Sequence, residues 1–205
     1  MTPRKRNQRR LDYELIEQLV PEGARVLDLG CGDGTLLARL RERRGCQGYG
    51  IEINPELVRA CIHRGVPVYH GDMLEGMTHY ADDGFDVVVL SQTLQQTHNP
   101  LRVLQEMLRI GRRAIVSFPN YGYWRIRWQL LVRGRMPSSP LLPYPWYQTP
   151  DIHPCTIRDF KALCRQEGLR IVKEIYMVPP ARRVGVRCAN WRASLGIFVL
   201  ERDGT

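Results

Sequence analysis

Residues 26–37 read VLDLGCGDGTLL: apolar residues around one aspartate, glycines at alternate positions 30, 32 and 34, then a threonine and more apolar residues. Glycines spaced this way let the backbone approach a small molecule closely, because none carries a Cβ. Strand-forming residues precede the run and helix-forming residues follow it, the context in which such a loop cradles a ligand. A dinucleotide-binding turn wants Gly or Ala at position 35, where the helix packs on the strand; Thr35 stands there instead.

Charge narrows the ligand further. Asp28 and Asp33 flank the turn, and a pyrophosphate, with about two negative charges, would be repelled by both. An acidic loop suits a cationic ligand without phosphate. S-adenosylmethionine is such a ligand, with a sulfonium and an ammonium against one carboxylate. Glu52 ends the second predicted strand, where an acid can hydrogen-bond ribose hydroxyls; a charge-assisted bond of that kind contributes about 1.5–3 kcal/mol. Asp72 ends the third and can accept from an adenine amino group, with Ile53 and Met73 on either side of the ring. The candidate cofactor contacts are therefore Asp28, Gly30, Cys31, Gly32, Asp33, Gly34, Glu52, Ile53, Asp72, Met73 and Ser91. S-adenosylhomocysteine, the demethylated product, fits the same contacts.

Methyl transfer from a sulfonium is an in-line displacement to which positioning alone can contribute about 7–11 kcal/mol. The acceptor should lie after the fourth strand, at Ser91–His98. That segment is rich in amides and holds no carboxylate. It lacks the Asn/Asp-Pro-Pro-aromatic run of amide and adenine methylation, and Pro119-Asn120-Tyr121 comes one strand too late to supply it. His98 is the one candidate base there, and a turn or capping role suits it better. No catalytic residue is assigned.

Two stretches, 118–137 and 144–160, concentrate Tyr, Trp, Arg and Pro. Tyr121, Trp124, Trp128, Tyr144, Trp146, Tyr147 and His153 are candidates for a lid over the cofactor or for a partner surface, since interfaces favour Tyr, Trp and Arg. Base stacking by Trp124 and Trp128 among Arg125, Arg127, Arg133 and Arg135 is the third reading. The helical spacing of Trp124, Trp128 and Leu131 speaks for a buried stripe over stacking.

The elements that must position these residues follow from periodicity. An amphipathic helix is expected over 9–20 and short strands over 25–29, 47–53, 66–72, 85–91 and 113–120. Helices are expected over 35–44 and from Asn54-Pro55 to about Arg64, with a further one starting near Asn99-Pro100. FDVVVLS (85–91) is continuously apolar, hence covered on both faces. Strands alternating with helices imply a parallel, doubly wound α/β sheet. A helix is expected over residues 121–134. Six prolines make 135–155 a long structured loop. Thr156 caps a further helix, and 169–178 and 194–201 are the last two strands.

The 205 residues suit one domain, 11–205, behind a basic tail (1–10), with 121–155 an aromatic and proline-rich insertion. Net charge is +9, and five of the first ten residues are basic. That admits nucleic acid, but the bland reading is a solvated tail, and no RNA-binding motif accompanies it. Six cysteines show no C-x-x-C pair or zinc spacing, so free thiols in a reducing cytoplasm are expected and no metal. No apolar run reaches the roughly 18–20 residues of a membrane span, and no signal peptide is read.

DLGCGDG, the strand-end Glu52 and the Gly71-Asp72 pair resemble motifs of the class I S-adenosylmethionine-dependent methyltransferases over residues 24–120. The resemblance implies a seven-stranded, mostly parallel sheet whose last strand inserts antiparallel beside the fifth. LSQTLQQTHNP (90–100) and the two aromatic stretches closely resemble the MetW family of methionine-biosynthesis proteins. That resemblance implies a bacterial cytoplasmic protein with a methyltransferase-like fold. It also implies partnership with homoserine O-acyltransferase (MetX), which performs the acyl chemistry that the family protein supports or regulates. Three alternatives stand beside it: an active methyltransferase on a small molecule, a nucleic-acid methyltransferase or binder, and, most distantly, a dinucleotide oxidoreductase.

Overall fold

The computed structural model describes residues 12–137, 139, 142–178 and 182–202, so the basic tail lies outside the described residues. Five parallel strands form one half of the sheet: β1 (Arg25–Leu29), β2 (Gln47–Glu52), β3 (Val68–His70), β4 (Phe85–Ser91) and β5 (Gly111–Pro119). The other half holds β6 (Arg170–Val178), β7 (Arg182–Val184) and β8 (Leu195–Glu201). The order is β3-β2-β1-β4-β5-β8-β6-β7. The last strand, β8, pairs antiparallel with β5, from Arg113 opposite Glu201 to Pro119 opposite Leu195. The seven expected strands are all present. An eighth, the three-residue β7, adds antiparallel to β6 at the edge.

Alternation along each strand feeds two cores. Val88 and Leu90 of β4 join Leu27, Phe198 and Leu200 in one, while Val87 and Val89 join Val26, Ile197 and Val199 in the other. Helices cover both. On the first face lie α4 (Met73–Met77), α5 (Pro100–Ile110) and α7 (Ile157–Gln166), through Met77, Leu104 and Phe160 among others. On the second lie α1 (Tyr13–Leu19), α2 (Thr35–Arg44) and α3 (Pro55–His63), through Ile16, Leu37 and Cys61. Phe118, Phe160 and Phe198 meet with centroids 4.7–5.6 Å apart and clamp α7 onto β5 and β8. Each such pair contributes about 0.5–1.5 kcal/mol beyond its buried area.

The caps read from sequence are formed. Asn54 accepts from the amides of Glu56 and Leu57, and Asn99 from Arg102. Thr156 and Asp159 complete a reciprocal capping box. The expected 121–134 helix is α6 (Trp124–Arg133), and its buried stripe requires correction. Trp124 is 38%, Trp128 60% and Leu131 80% exposed, and Ile126 is the sole buried residue of the helix. Helical spacing puts the three on one face, but no element of the described chain packs over it.

Candidate functional site

Strand order reverses between β1 and β4, the switch point beyond whose carboxyl ends ligands bind in open α/β sheets. The glycine loop leaves β1 there. Gly30, Gly32 and Gly34 all have left-handed backbone, with φ of 67°, 60° and 74°. A Cβ at Gly30 would stand 3.0 Å from Thr93, whereas one at Gly32 would meet nothing within 4 Å. The loop is thus closed against the segment after β4 on one side and open at Gly32.

Glu52 shapes the loop. It is 7% exposed; one carboxylate oxygen accepts the Gly32 amide at 2.8 Å and the other the Asn54 amide at 2.9 Å. A carboxylate has about four acceptor sites, so these bonds leave capacity for ligand hydroxyls. Asp28 lies buried on β1 beneath the loop, in register with Gly50 and Val89. Burial raises the Cys31 thiol far above its ordinary value, and the fields of Asp28 and then Glu52 add to the rise.

The other two acids have local duties. Asp33 accepts from the Thr35 hydroxyl at 2.7 Å and pairs with Arg64 at 3.0 Å, so its charge is offset in place. Asp72 is exposed and caps α4, accepting from Leu74 and Glu75. Met73 is half-buried against the core and Ile53 is 66% exposed. Ser91, buried at the end of β4, donates to Asp12 Oδ2 at 2.6 Å. Ser117 of β5 donates to the same oxygen at 2.8 Å. Asp12 itself is fully buried at the start of α1. Nothing local in the sequence marks this acid, which meets partners 79 and 105 residues away.

After β4 the chain forms a single 3-10 turn, Leu94–Gln96. The Gln95 carbonyl accepts from the amides of Ile152 and His153, and Tyr121 donates to Asp151 at 3.2 Å. These bonds dock the proline-rich segment on the amide-rich turn and bring in a carboxylate that the turn itself lacks. Gln92, Gln95, Tyr121, Tyr144, Trp146 and Asp151 share one cavity there. His98 and His153 are exposed and not among its lining residues. Trp128 lies on the uncovered face of α6, while Tyr147, 67% exposed, packs edge-on against Trp146. Among the described residues no helix is long and apolar enough to cross a membrane, and no group of three or more His, Cys, Asp or Glu could hold a metal ion.

The open position over Gly32, the buried acids and the absence of any basic side chain from the loop itself fit the sulfonium nucleoside and its ribose. Solved structures agree on the architecture. An S-adenosylmethionine-dependent methyltransferase from Mesorhizobium loti superposes with a TM-score of 0.67 over 94% of this chain and 98% of that one, at 16% identity. A putative methyltransferase in complex with the Trm112 activator of Haloferax volcanii gives 0.66, over 94% and 90%, at 17% identity. The fold is that of a class I S-adenosylmethionine-dependent methyltransferase.

Within that class the relationship is specific. Residues 10–200 match the family described as methionine biosynthesis protein MetW, and the chain belongs to that family. It is 38% identical over 175 residues to the bifunctional methionine biosynthesis protein MetXA/MetW of Rhodopirellula baltica, covering 81% of this chain and 28% of that protein. It is 34% identical over 119 residues to the ubiquinone biosynthesis O-methyltransferase of Xanthomonas axonopodis, covering 54% and 49%. The chain thus spans between about a quarter and a half of the length of these relatives.

Proposed function

We propose that this chain binds S-adenosylmethionine or S-adenosylhomocysteine at the glycine loop and acts in the cytoplasm as partner or regulator of a homoserine O-acyltransferase. One observation carries the partner reading. Leu130, Leu131, Val132 and Trp128 of α6 are each at least 50% exposed, on a helix with one buried residue. Apolar surface of that extent on one helix marks an interaction site. The relative whose name joins MetXA to MetW supports an acyltransferase as the occupant. In this reading Glu52, Asp28 and the Gly32 backbone hold the nucleoside, and α6 with Tyr144, Trp146 and Tyr147 meets the partner.

The test is association of the purified chain with a homoserine O-acyltransferase, with and without S-adenosylmethionine. Wild type associates at micromolar concentration and changes the acyltransferase rate. Trp128→Ser with Leu131→Ser weakens association at least tenfold, the usual weight of a hot-spot pair, with the melting temperature unchanged. No association of the wild-type chain overturns the reading.

A second reading, methyl transfer to a small molecule, is supported by the Tyr121–Asp151 pair in the cavity beside the cradle. Labelled methyl groups transferred to a defined acceptor would establish it.

A further inference from the structure

The cavity between the amide-rich turn and the proline-rich segment measures about 810 Å³, within the roughly 300–1,000 Å³ of small-molecule sites. Its chemistry is unusual in being incomplete. Gln95 is 4% exposed, and its Nε2 donates to the Gln92 carbonyl at 2.9 Å. That bond fixes the orientation of the amide, since the oxygen could not take its place against a carbonyl. The Gln95 Oε1 is then left buried without a hydrogen-bond partner. A buried acceptor in that state costs about 1–3 kcal/mol, and this one is shut off from the open cavity behind the rest of the side chain.

Charge is incomplete as well. Arg135 and Asp151 both line the cavity, and among the described residues neither takes part in an ion pair. Asp151 accepts from the Tyr121 hydroxyl and keeps acceptor capacity. Met136, Leu142 and Trp146 add an apolar wall. One cation, one anion and an apolar wall in a single concavity describe a zwitterion with an uncharged tail. A phosphate-bearing ligand would be repelled by Asp151, and a purely apolar one would leave both charges unmatched.

We infer that this cavity binds an α-amino acid with an uncharged side chain of methionine size or larger. The ammonium pairs with Asp151, the carboxylate pairs with Arg135, and the side chain lies along Met136, Leu142 and Trp146. Such a ligand touches both the turn after β4 and the proline-rich segment, and so ties the two together. The inference concerns the isolated chain and stands apart from the acyltransferase reading.

The test is calorimetric titration of L-methionine into the purified full chain, with tryptophan fluorescence as a second signal. Repeating it in saturating S-adenosylhomocysteine keeps the glycine loop from contributing. Two analogues dissect the charges: L-methioninol lacks the carboxylate, and 2-hydroxy-4-methylthiobutanoate lacks the ammonium. Saturable binding in the micromolar to millimolar range is expected. Each analogue, and each of Arg135→Gln and Asp151→Asn, weakens it roughly tenfold or more, the weight of a lost charge-assisted bond. Both variants retain the wild-type melting temperature and S-adenosylhomocysteine affinity. No saturable response up to about 10 mM, or a response that neither substitution changes, overturns the inference.

Discussion

The carboxylate of Glu52 accepts the backbone amide of Gly32 at 2.8 Å, joining the end of the second strand to the open position of the glycine loop. The loop is further pinned by the Ile51 carbonyl, which accepts from Gly30 and Cys31 at 2.8 and 3.1 Å. The acid therefore shapes the loop as well as charging it. Glu52→Ala leaves the amides of Gly32 and Asn54 without their acceptor, and stability should fall by about 1–3 kcal/mol. Urea unfolding checks that figure. Calorimetry should show S-adenosylmethionine affinity falling at least tenfold, more than the loss for Asp72→Ala, whose carboxylate caps a short helix on the rim.

The two loop glycines should separate when replaced. Both hold left-handed backbone that costs an alanine roughly 1 kcal/mol. At Gly30 the new methyl also presses on Thr93, whereas at Gly32 it enters open space. Gly30→Ala is expected to lower the melting temperature more than Gly32→Ala. Gly32→Ala is expected to abolish S-adenosylmethionine binding out of proportion to its effect on stability. Equal ligand affinity in wild type and Gly32→Ala would place the nucleoside elsewhere.

Asp12 draws two serines of neighbouring strands, Ser91 and Ser117, onto one oxygen, with no exposure of its own. Hydrogen bonds to a charged group contribute about 1.5–3 kcal/mol net. Asp12→Ala should lower the urea midpoint by a corresponding amount with little change in slope, because the surface exposed on unfolding is the same. A chain begun after residue 12 should be destabilised at least as much.

Thiol chemistry should follow burial. Cys188 is exposed, Cys155 half-buried, and Cys31, Cys46, Cys61 and Cys164 buried. Burial pushes both the Cys155 and Cys164 thiols up to about 12, and the Asp159 and Asp151 fields add to the rise at Cys155. Cys31 and Cys61 lie 3.8 Å apart at sulfur, and both are raised, first by burial. A thiolate is the reactive form, so a disulfide reagent at pH 8 should modify Cys188 quickly and the buried four only on unfolding.

The same shifts fix the alkaline limit. Raised thiols, with Tyr80, Tyr121 and Tyr176 raised chiefly by burial, hold their protons more tightly folded than unfolded. Their contribution is complete below the ordinary values near 9.0 and 10.0 and is lost as pH rises through the folded ones. On the acid side, burial pushes the Glu174 carboxyl up, but the hydrogen bonds from Lys161 and Tyr176 outweigh it and hold it below its ordinary 4.5. Its contribution is present above that value and lost as pH falls through the folded one. A melting-temperature profile should therefore decline above about pH 9 and below about pH 4.5.

Local chemistry in the chain determined the doubly wound half of the fold. Continuous apolar β4, the caps at Asn54, Asn99 and Thr156, and the strand–glycine–helix run were legible because each depends on residues within one turn or one strand. Asp28, Asp33, Glu52 and Asp72 were legible as acids at or beside strand ends, and strand ends converge wherever parallel strands alternate with helices. Their individual duties were not. Only the folded chain turns Glu52 toward the Gly32 amide, offsets Asp33 with Arg64, and sets Asp72 to cap α4. The short α4, β7 and α8 (Ala189–Arg192) also escaped, being too brief for a period to show. Periodicity aligned Trp124, Trp128 and Leu131 on one face but could not say whether anything covers it, because burial depends on what packs across from a helix. Likewise Asp12 found its serines, and Asp151 its place in the cavity, through chain separations that no local pattern encodes.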